Sequence, residues 1–221
     1  YYAITVAMNP HEYVDLGLPS GTLWATCNVG ADTSEGFGDY FAWGETESKS
    51  DYSWSTYAWC NGSESTLTKY CYDSNYGNDG FTDELLTLDM EDDAAYVNWG
   101  SDWCIPSHAQ FVELADENYV TRVWTTQNDV YGMKFTSVSN GNSIFLPAAG
   151  FYSAETLSRP NGAGFYTARE LFYSREPNNS YVYPYYNCYL QVYQYDDYDY
   201  ATTYRFFNRC SGLSVRPVRV Q

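Results

Sequence analysis

Hydrophobic and polar positions alternate most clearly near the C-terminal end of the chain. In CYLQVYQY, Cys188, Leu190, Val192 and Gln194 point one way, and Tyr189, Gln191, Tyr193 and Tyr195 the other, as on an extended strand. The first set has an apolar centre suited to a core, whereas the second is a row of phenols. Tyr181, Tyr183 and Tyr185 alternate likewise. Period-two patterning predicts three more strand regions. GTLWATCNV places Leu23, Ala25 and Cys27 opposite Trp24, Thr26 and Asn28. YGMKFTSVSNGNSIFLPAAG reads as a hairpin, with Phe135 and Val138 before Asn140-Gly141 and Ile144-Phe145-Leu146 after it. GLSVRPVRV sets Leu213, Val215 and Pro217 against Ser214, Arg216 and Val218.

Helical signals are few. In IPSHAQFVELADENY, Ser107 and Gln110 have capping-box spacing, and Phe111, Leu114 and Ala115 share one face. LDMEDDAAYVNWG opens with acids suited to a helix N-terminus and closes on Gly100. A third, shorter helix is expected over Thr33 to Tyr40. The stretch from Asp51 to Asp83 is rich in Ser, Gly, Asn and Tyr without clear periodicity, and reads as a long loop pinned by packed aromatics. These elements predict an α+β domain over 11–221, preceded by a tail at 1–10. Trp24, Trp43, Trp99, Trp103 and Leu146 are the expected core.

Composition narrows the function. The 221 residues include 28 Asp plus Glu against 11 Lys plus Arg, a formal charge of -17 that disfavours nucleic acid and anionic membranes as partners. No stretch has the apolar length to span a bilayer. YYAITVAMNP lacks the regions of a signal peptide and reads as a trimmed start, so a membrane anchor would lie outside this chain. Six cysteines form no CxxC, and His11 and His108 stand far apart, which argues against zinc. Their even number suits disulfides, with Cys60 and Cys71 the first candidate pair, then Cys27 with Cys104 and Cys188 with Cys210. The composition suits a secreted, extracellular or cell-surface protein. There is no GxSxG, HExxH or P-loop, so the chain reads as a non-enzyme with no cofactor. Asn61-Gly-Ser63 fits a glycosylation acceptor and also an ordinary turn.

Five motifs stand in order: EYVDLGLPSGTLWATCNVGA (Glu12 to Ala31), GDYFAWGET (Gly38 to Thr46), EDDAAYVNWG (Glu91 to Gly100), NGNSIFLPAAG (Asn140 to Gly150) and GLSVRPVR (Gly212 to Arg219). Together they resemble the Fibrobacter succinogenes major paralogous domain. That scaffold is similar to the variable proteins of diversity-generating retroelements. The resemblance implies a C-type-lectin-like domain with two main helices, short antiparallel sheets and long irregular loops. Between Thr167 and Arg209 it fades: where the family often shows Trp-Ser-Ser, this chain has Phe165-Tyr166-Thr167-Ala168-Arg169. The resemblance also implies an origin for the tyrosines. Such retroelements rewrite adenines, and single changes in the Asn codons AAC and AAT give Tyr, Asp, His, Ser, Thr or Ile.

The expected binding segment is 165–210. Tyrosine presents a broad, rigid, amphipathic surface at low entropic cost, and interface hot spots favour Tyr, Trp and Arg. The candidate ligand-binding residues are Thr167, Arg169, Tyr173, Arg175, Asn178, Asn179, Tyr181, Tyr183, Tyr185, Tyr186, Tyr189, Tyr193, Tyr195, Asp197, Tyr198, Tyr200, Tyr204, Phe206 and Arg209. Arg205 is interleaved with them. The expected partner is an external protein or glycan, and the alternatives are a calcium-dependent lectin and a fixed adhesin or scaffold module. The lectin reading rests on Glu176-Pro177-Asn178, which spells the EPN tripeptide of mannose-type lectins. Asp196 and Asp197 would be further calcium ligands. A third alternative is that the tyrosines pack internally.

Overall fold

The computed structural model describes residues 11–176 and 179–219, with side chains at all of these except 173–176, 179–182 and 205. The expected tail at 1–10 lies outside the described residues. Both helices form where their caps stand. Asp93 accepts hydrogen bonds from the Ala95 and Tyr96 N–H groups and starts α1 (Ala94–Trp99), which Gly100 ends at φ 95°. The same carboxylate accepts from the Ile105 N–H at 2.9 Å, tying the start of the helix to the segment that follows it. Ser107 caps α2 (His108–Leu114): its hydroxyl accepts from the Gln110 N–H at 3.2 Å, and the Gln110 amide oxygen accepts from the Ser107 N–H at 2.8 Å.

The third helix, expected at Thr33 to Tyr40, does not form. Gly38 holds φ 70°, and the Asp39 N–H donates to the Val29 carbonyl at 2.9 Å. The chain therefore doubles back on itself there. A Cβ on Gly38 would lie 2.3 Å from that carbonyl oxygen, so the return demands glycine.

The rest is mostly β, and with its two helices the fold is α+β. Early strands are short: β1 (Tyr13–Asp15), β2 (Leu23–Ala25), β3 (Tyr40–Phe41) and β4 (Trp103–Cys104). Then come β5 (Val120–Gln127), β6 (Val130–Ser137), β7 (Ser143–Pro147), β8 (Phe151–Ser153) and β9 (Thr156–Ser158). Three long strands follow, β10 (Ala163–Glu176), β11 (Asn179–Tyr195) and β12 (Tyr198–Asn208), and β13 (Leu213–Ser214) and β14 (Val218–Arg219) close the chain. One sheet has the order β12-β11-β10-β13-β3, antiparallel except at β10 and β13. A second has the order β1-β2-β14-β4, and β5-β6-β7 and β8-β9 form smaller ones. The hairpin expected around Asn140-Gly141 is the β6–β7 connection, with Phe135 opposite Ile144.

The main core lies between the long sheet, α2 and the β5–β7 sheet. Leu190, Val192 and Cys188 enter it with Tyr166, Trp24, Phe111, Met133 and Leu146, so the apolar half of the CYLQVYQY alternation is buried as expected. Burying a Leu or Val side chain is worth about 1.5–3 kcal/mol. Trp24, Trp43, Trp103 and Leu146 are buried; Trp99 is half-buried and stacks on His11 at 3.7 Å.

Two expected alternations fail because both faces are covered. Trp24 enters the main core, and Ala25, on the opposite face of β2, is buried as well. Residues 213–218 are all buried, and Pro217 parts β13 from β14, which serve different sheets. Arg216 is buried there and donates to the Asn28 side chain and to the carbonyls of Ala25, Thr26 and Phe145.

The Asp51–Asp83 stretch is a packed loop. Tyr52, Tyr57, Leu67 and Tyr70 are buried; the Tyr52 hydroxyl donates to the Tyr40 carbonyl and the Tyr57 hydroxyl to the Trp43 carbonyl. No expected disulfide is present, for all six cysteines are free thiols. Cys60 and Cys71 instead donate to the Trp54 and Asp73 carbonyls, while Cys104 and Cys188 pack in the main core.

Candidate recognition face

The expected binding segment, 165–210, falls almost entirely on β10, β11 and β12. Their pairing is regular near the β11–β12 turn: Ala163 lies opposite Tyr193, Tyr193 opposite Tyr200, and Tyr189 opposite Tyr204. Asp196 and Asp197 make that turn with φ 46° and 64°, the doubly left-handed shape of a two-residue hairpin. The other halves of the strands are irregular, with register shifts between Thr167 and Tyr173 on β10 and between Asn187 and Tyr189 on β11. A one-residue slip exchanges the faces of a strand, so a strict alternation does not run the length of β11.

Two aromatic groups result. In the first, Tyr193 stacks on Tyr200 at 4.9 Å and Tyr189 on Tyr204 at 5.5 Å, and Phe165, Phe207 and Phe151 extend the row. In the second, beyond the register shifts, Phe206 meets Phe172 at 4.6 Å and Tyr186 at 5.7 Å, and Tyr185 meets Tyr186 at 4.4 Å. Tyr76, from the long loop, packs on Tyr185 at 5.1 Å. A shallow cavity of about 260 Å³ joins the groups and is lined by Phe151, Ser153, Tyr186, Phe206, Phe207, Asn208 and Ser211.

The candidate residues divide by exposure. Tyr195, Tyr198 and Phe206 are 64%, 69% and 55% exposed, and Asp197 is exposed as well. Tyr183, Tyr185, Tyr186, Tyr193, Tyr200 and Tyr204 are half-buried, each packed against other rings of its group. Internal packing and surface display therefore coexist in the same strands. Tyr173, Arg175, Asn179 and Tyr181 lie on the strands, but their side chains, like all of Asn178, lie outside the described residues.

Four candidates are corrected. Thr167 is buried and accepts from the Asn187 amide at 3.0 Å. Tyr189 is 8% exposed, locked between Phe165, Phe207 and Tyr204. Arg209 is fully buried: it donates to the Tyr57 hydroxyl and to the carbonyls of Tyr70, Pro184 and Lys69. Arg169 is half-buried and turned toward the segment before α1, donating to the Leu88 carbonyl at 3.2 Å. None of the four presents its polar group to a ligand lying on the sheet.

The calcium set does not assemble. Glu176 pairs with Asn179 at one end of β11, whereas Asp196 and Asp197 follow its other end. The 17 residues of β11 separate the two, about 50 Å of extended chain. Elsewhere the carboxylates of Asp89, Glu91 and Asp92 lie within 4.8 Å of one another. Lys69 pairs with all three, 2.6 Å from Asp92, 3.1 Å from Asp89 and 3.5 Å from Glu91, and takes the place a cation would hold among them.

Burial shapes the electrostatics of the first aromatic group. It pushes the Tyr189 phenol up to about 12 and raises that of Tyr193, with the neighbouring Tyr204 adding to both. Tyr185 is also raised to about 12 by burial, then by Tyr76. These phenols stay neutral at physiological pH and offer hydroxyls and ring faces. Among the described residues no helix is long and apolar enough to cross a membrane.

Phe151, Phe165, Phe207 and Tyr76 belong to the aromatic groups and were not among the expected residues. Phe165 and Phe207 border the tyrosine-rich run and share its composition. Phe151 and Tyr76 come from distant loops and carry no linear signal. No protein-family model matches the chain, and no curated protein or solved structure matches it.

Proposed function

We propose that the chain is a non-enzymatic, C-type-lectin-like binding protein of the cell surface or secreted space. In this reading the segment 165–210 is a diversified recognition face that takes up an external protein or glycan through aromatic contact. The observation that carries this reading is the exposure of Tyr195, Tyr198 and Phe206 on strands whose other residues, Leu190 and Val192, are buried in the main core. A ring that stays more than half exposed on a strand fixed by its buried residues is suited to contact something else. The resemblance to retroelement variable proteins supplies the diversification. The calcium-dependent alternative loses its ligand set, as described above.

The test compares two variants by thermal unfolding. Tyr195→Ser, Tyr198→Ser and Phe206→Ser combined remove exposed rings, at about 0.5 kcal/mol or less for each tyrosine and about 1 kcal/mol for Phe206, which packs on Phe172. Tyr189→Ser alone empties a buried aromatic site, a change that costs about 3–5 kcal/mol in typical cores. The triple variant is expected to melt above the single one. A triple variant that melts below it would assign the exposed rings to packing and sink the reading.

A further inference from the structure

We infer that the tip of the β11–β12 hairpin recognises a cationic segment of a partner protein, receiving Lys or Arg side chains between the rings of Tyr195 and Tyr198 and the carboxylates of Asp196 and Asp197. This rests on the reading of the long sheet as a recognition face and specifies the chemistry of its partner.

Charge is the first argument. Residues 176–204 contain ten tyrosines and four carboxylates (Glu176, Asp196, Asp197 and Asp199) and no Lys or Arg. The chain as a whole carries -17. A surface of that sign repels phosphate backbones, anionic lipids and acidic proteins and attracts basic ones over about a Debye length.

Geometry is the second. Tyr195 and Tyr198 are register partners flanking the turn, and their rings are 64% and 69% exposed. Cross-strand neighbours have Cβ atoms about 4.5–5.5 Å apart, so the two tyrosines leave the sheet side by side on one face. Tyrosine rings attract ammonium and guanidinium groups, guanidinium more often. Asp196 and Asp197 lie between them in sequence, are exposed, and make no hydrogen bond or ion pair with the described residues. Turns of this shape favour Asn-Gly. Asp tolerates this backbone, as at Asp129, but two adjacent carboxylates repel each other, a cost that a bound cation relieves.

Rigidity is the third. Asp199 is spent on holding the tip: its carboxylate accepts from the Trp124 N–H at 2.9 Å and the Gln194 amide at 3.0 Å. Its carbonyl accepts from Arg122 Nε at 3.0 Å, and the Arg122 guanidinium is paired with Glu117. The tip is thus fastened to β5, and the cation beside it is already neutralised. Farther along the face, Arg159 lies near Tyr193, which leaves the tip as the acidic end of the surface. A turn held in place at its base loses little backbone entropy on binding.

The probe is a fluorescein-labelled dodecapeptide of alternating Arg and Ser, with its Glu-Ser counterpart and a labelled oligomannoside as comparisons, followed by fluorescence anisotropy. The Arg-Ser peptide is expected to bind at about 0.15 M salt and to weaken as salt shortens the screening length. Asp196→Asn with Asp197→Asn, and separately Tyr195→Ser with Tyr198→Ser, should each weaken it at least tenfold. Asp79→Asn with Glu84→Gln, which removes two exposed carboxylates in and beside the long loop, should change it less than twofold. Three results overturn the proposal: no binding by the unaltered chain, equal losses in all three variants, or binding of the oligomannoside in place of the Arg-Ser peptide. None of these touches the broader reading, which fails separately if the tyrosine variant unfolds by circular dichroism; the aspartate variant then still decides the tip.

Discussion

Replacing Arg209 with Met should destabilise the protein without affecting any ligand contact. The guanidinium donates to Tyr57 Oη at 2.7 Å, the Tyr70 carbonyl at 2.9 Å, and the Pro184 and Lys69 carbonyls at 2.8 Å each. It also lies 5.2 Å from the Trp43 ring centre and 5.1 Å from that of Tyr57. These partners belong to the long loop and to β11, so one side chain fastens the loop to the sheet. Methionine keeps the apolar stem and leaves four acceptors without their donor. Each orphaned buried acceptor costs about 1–3 kcal/mol, and relief from burying an unpaired charge returns part of the sum. A net loss of about 4 kcal/mol follows, among the larger single-residue effects. At about 2–4 °C per kcal/mol for a chain of this size, the melting temperature falls by about 8–16 °C. Urea titration should show a lower midpoint at an unchanged slope. Arg209→Lys keeps the charge and some of the bonds and should lose about half as much. If Arg209→Met stays within about 1 kcal/mol of the unaltered chain, the clamp is not holding the loop and the reasoning fails.

Two further outcomes are expected. Burial raises the phenols of Tyr40, Tyr57, Tyr70 and Tyr166, and that of Tyr189 to about 12. Their folded values lie above the unfolded one near 10, so their contribution is complete below pH 10 and is lost as pH rises through 10 toward 12. Tyr189 alone removes about 1 kcal/mol at pH 11. Absorbance at 295 nm should show phenolate forming in step with the loss of far-UV circular dichroism; complete ionisation in a chain that keeps its dichroism would contradict the buried assignments. Calorimetric titration with calcium chloride should give no saturable heat, because Glu176 and the Asp196-Asp197 turn stand at opposite ends of β11. A saturable exotherm lost on Asp196→Asn would refute that separation.

Local chemistry was legible wherever a short-range rule decided the outcome. The Ser107–Gln110 box, the Asp93 region and the Asn140-Gly141 hairpin all lie within a few residues of the groups they satisfy. The inward half of the Cys188 to Tyr195 alternation was legible because Cys188, Leu190 and Val192 pack in the main core, whereas the burial of Tyr189 and Gln191 on the other face carries no such signal. The length of the strands was not, since β10, β11 and β12 run for 14, 17 and 11 residues through register shifts that break the alternation. The Asn128-Asp129 and Asp196-Asp197 turns lack the glycine that usually marks a two-residue hairpin, yet all four residues hold positive φ. Within the candidate site, Tyr195 and Arg209 are both residue types that favour interfaces, and only tertiary structure separates the exposed phenol from the buried clamp. Arg216 likewise finds its partners in Asn28 and Phe145, far away in sequence.

The DNA adjoining the coding sequence tests the recognition account most directly. The account predicts a reverse-transcriptase gene nearby and a template repeat nearly identical to the segment encoding residues 165–210. The two copies should differ at adenines of the template, and the changes should be enriched at exposed positions such as Tyr195, Asp197, Tyr198 and Phe206 and spare Leu190, Val192 and Arg209. A neighbourhood with neither the reverse transcriptase nor the repeat would contradict diversification and leave a fixed adhesin or scaffold module.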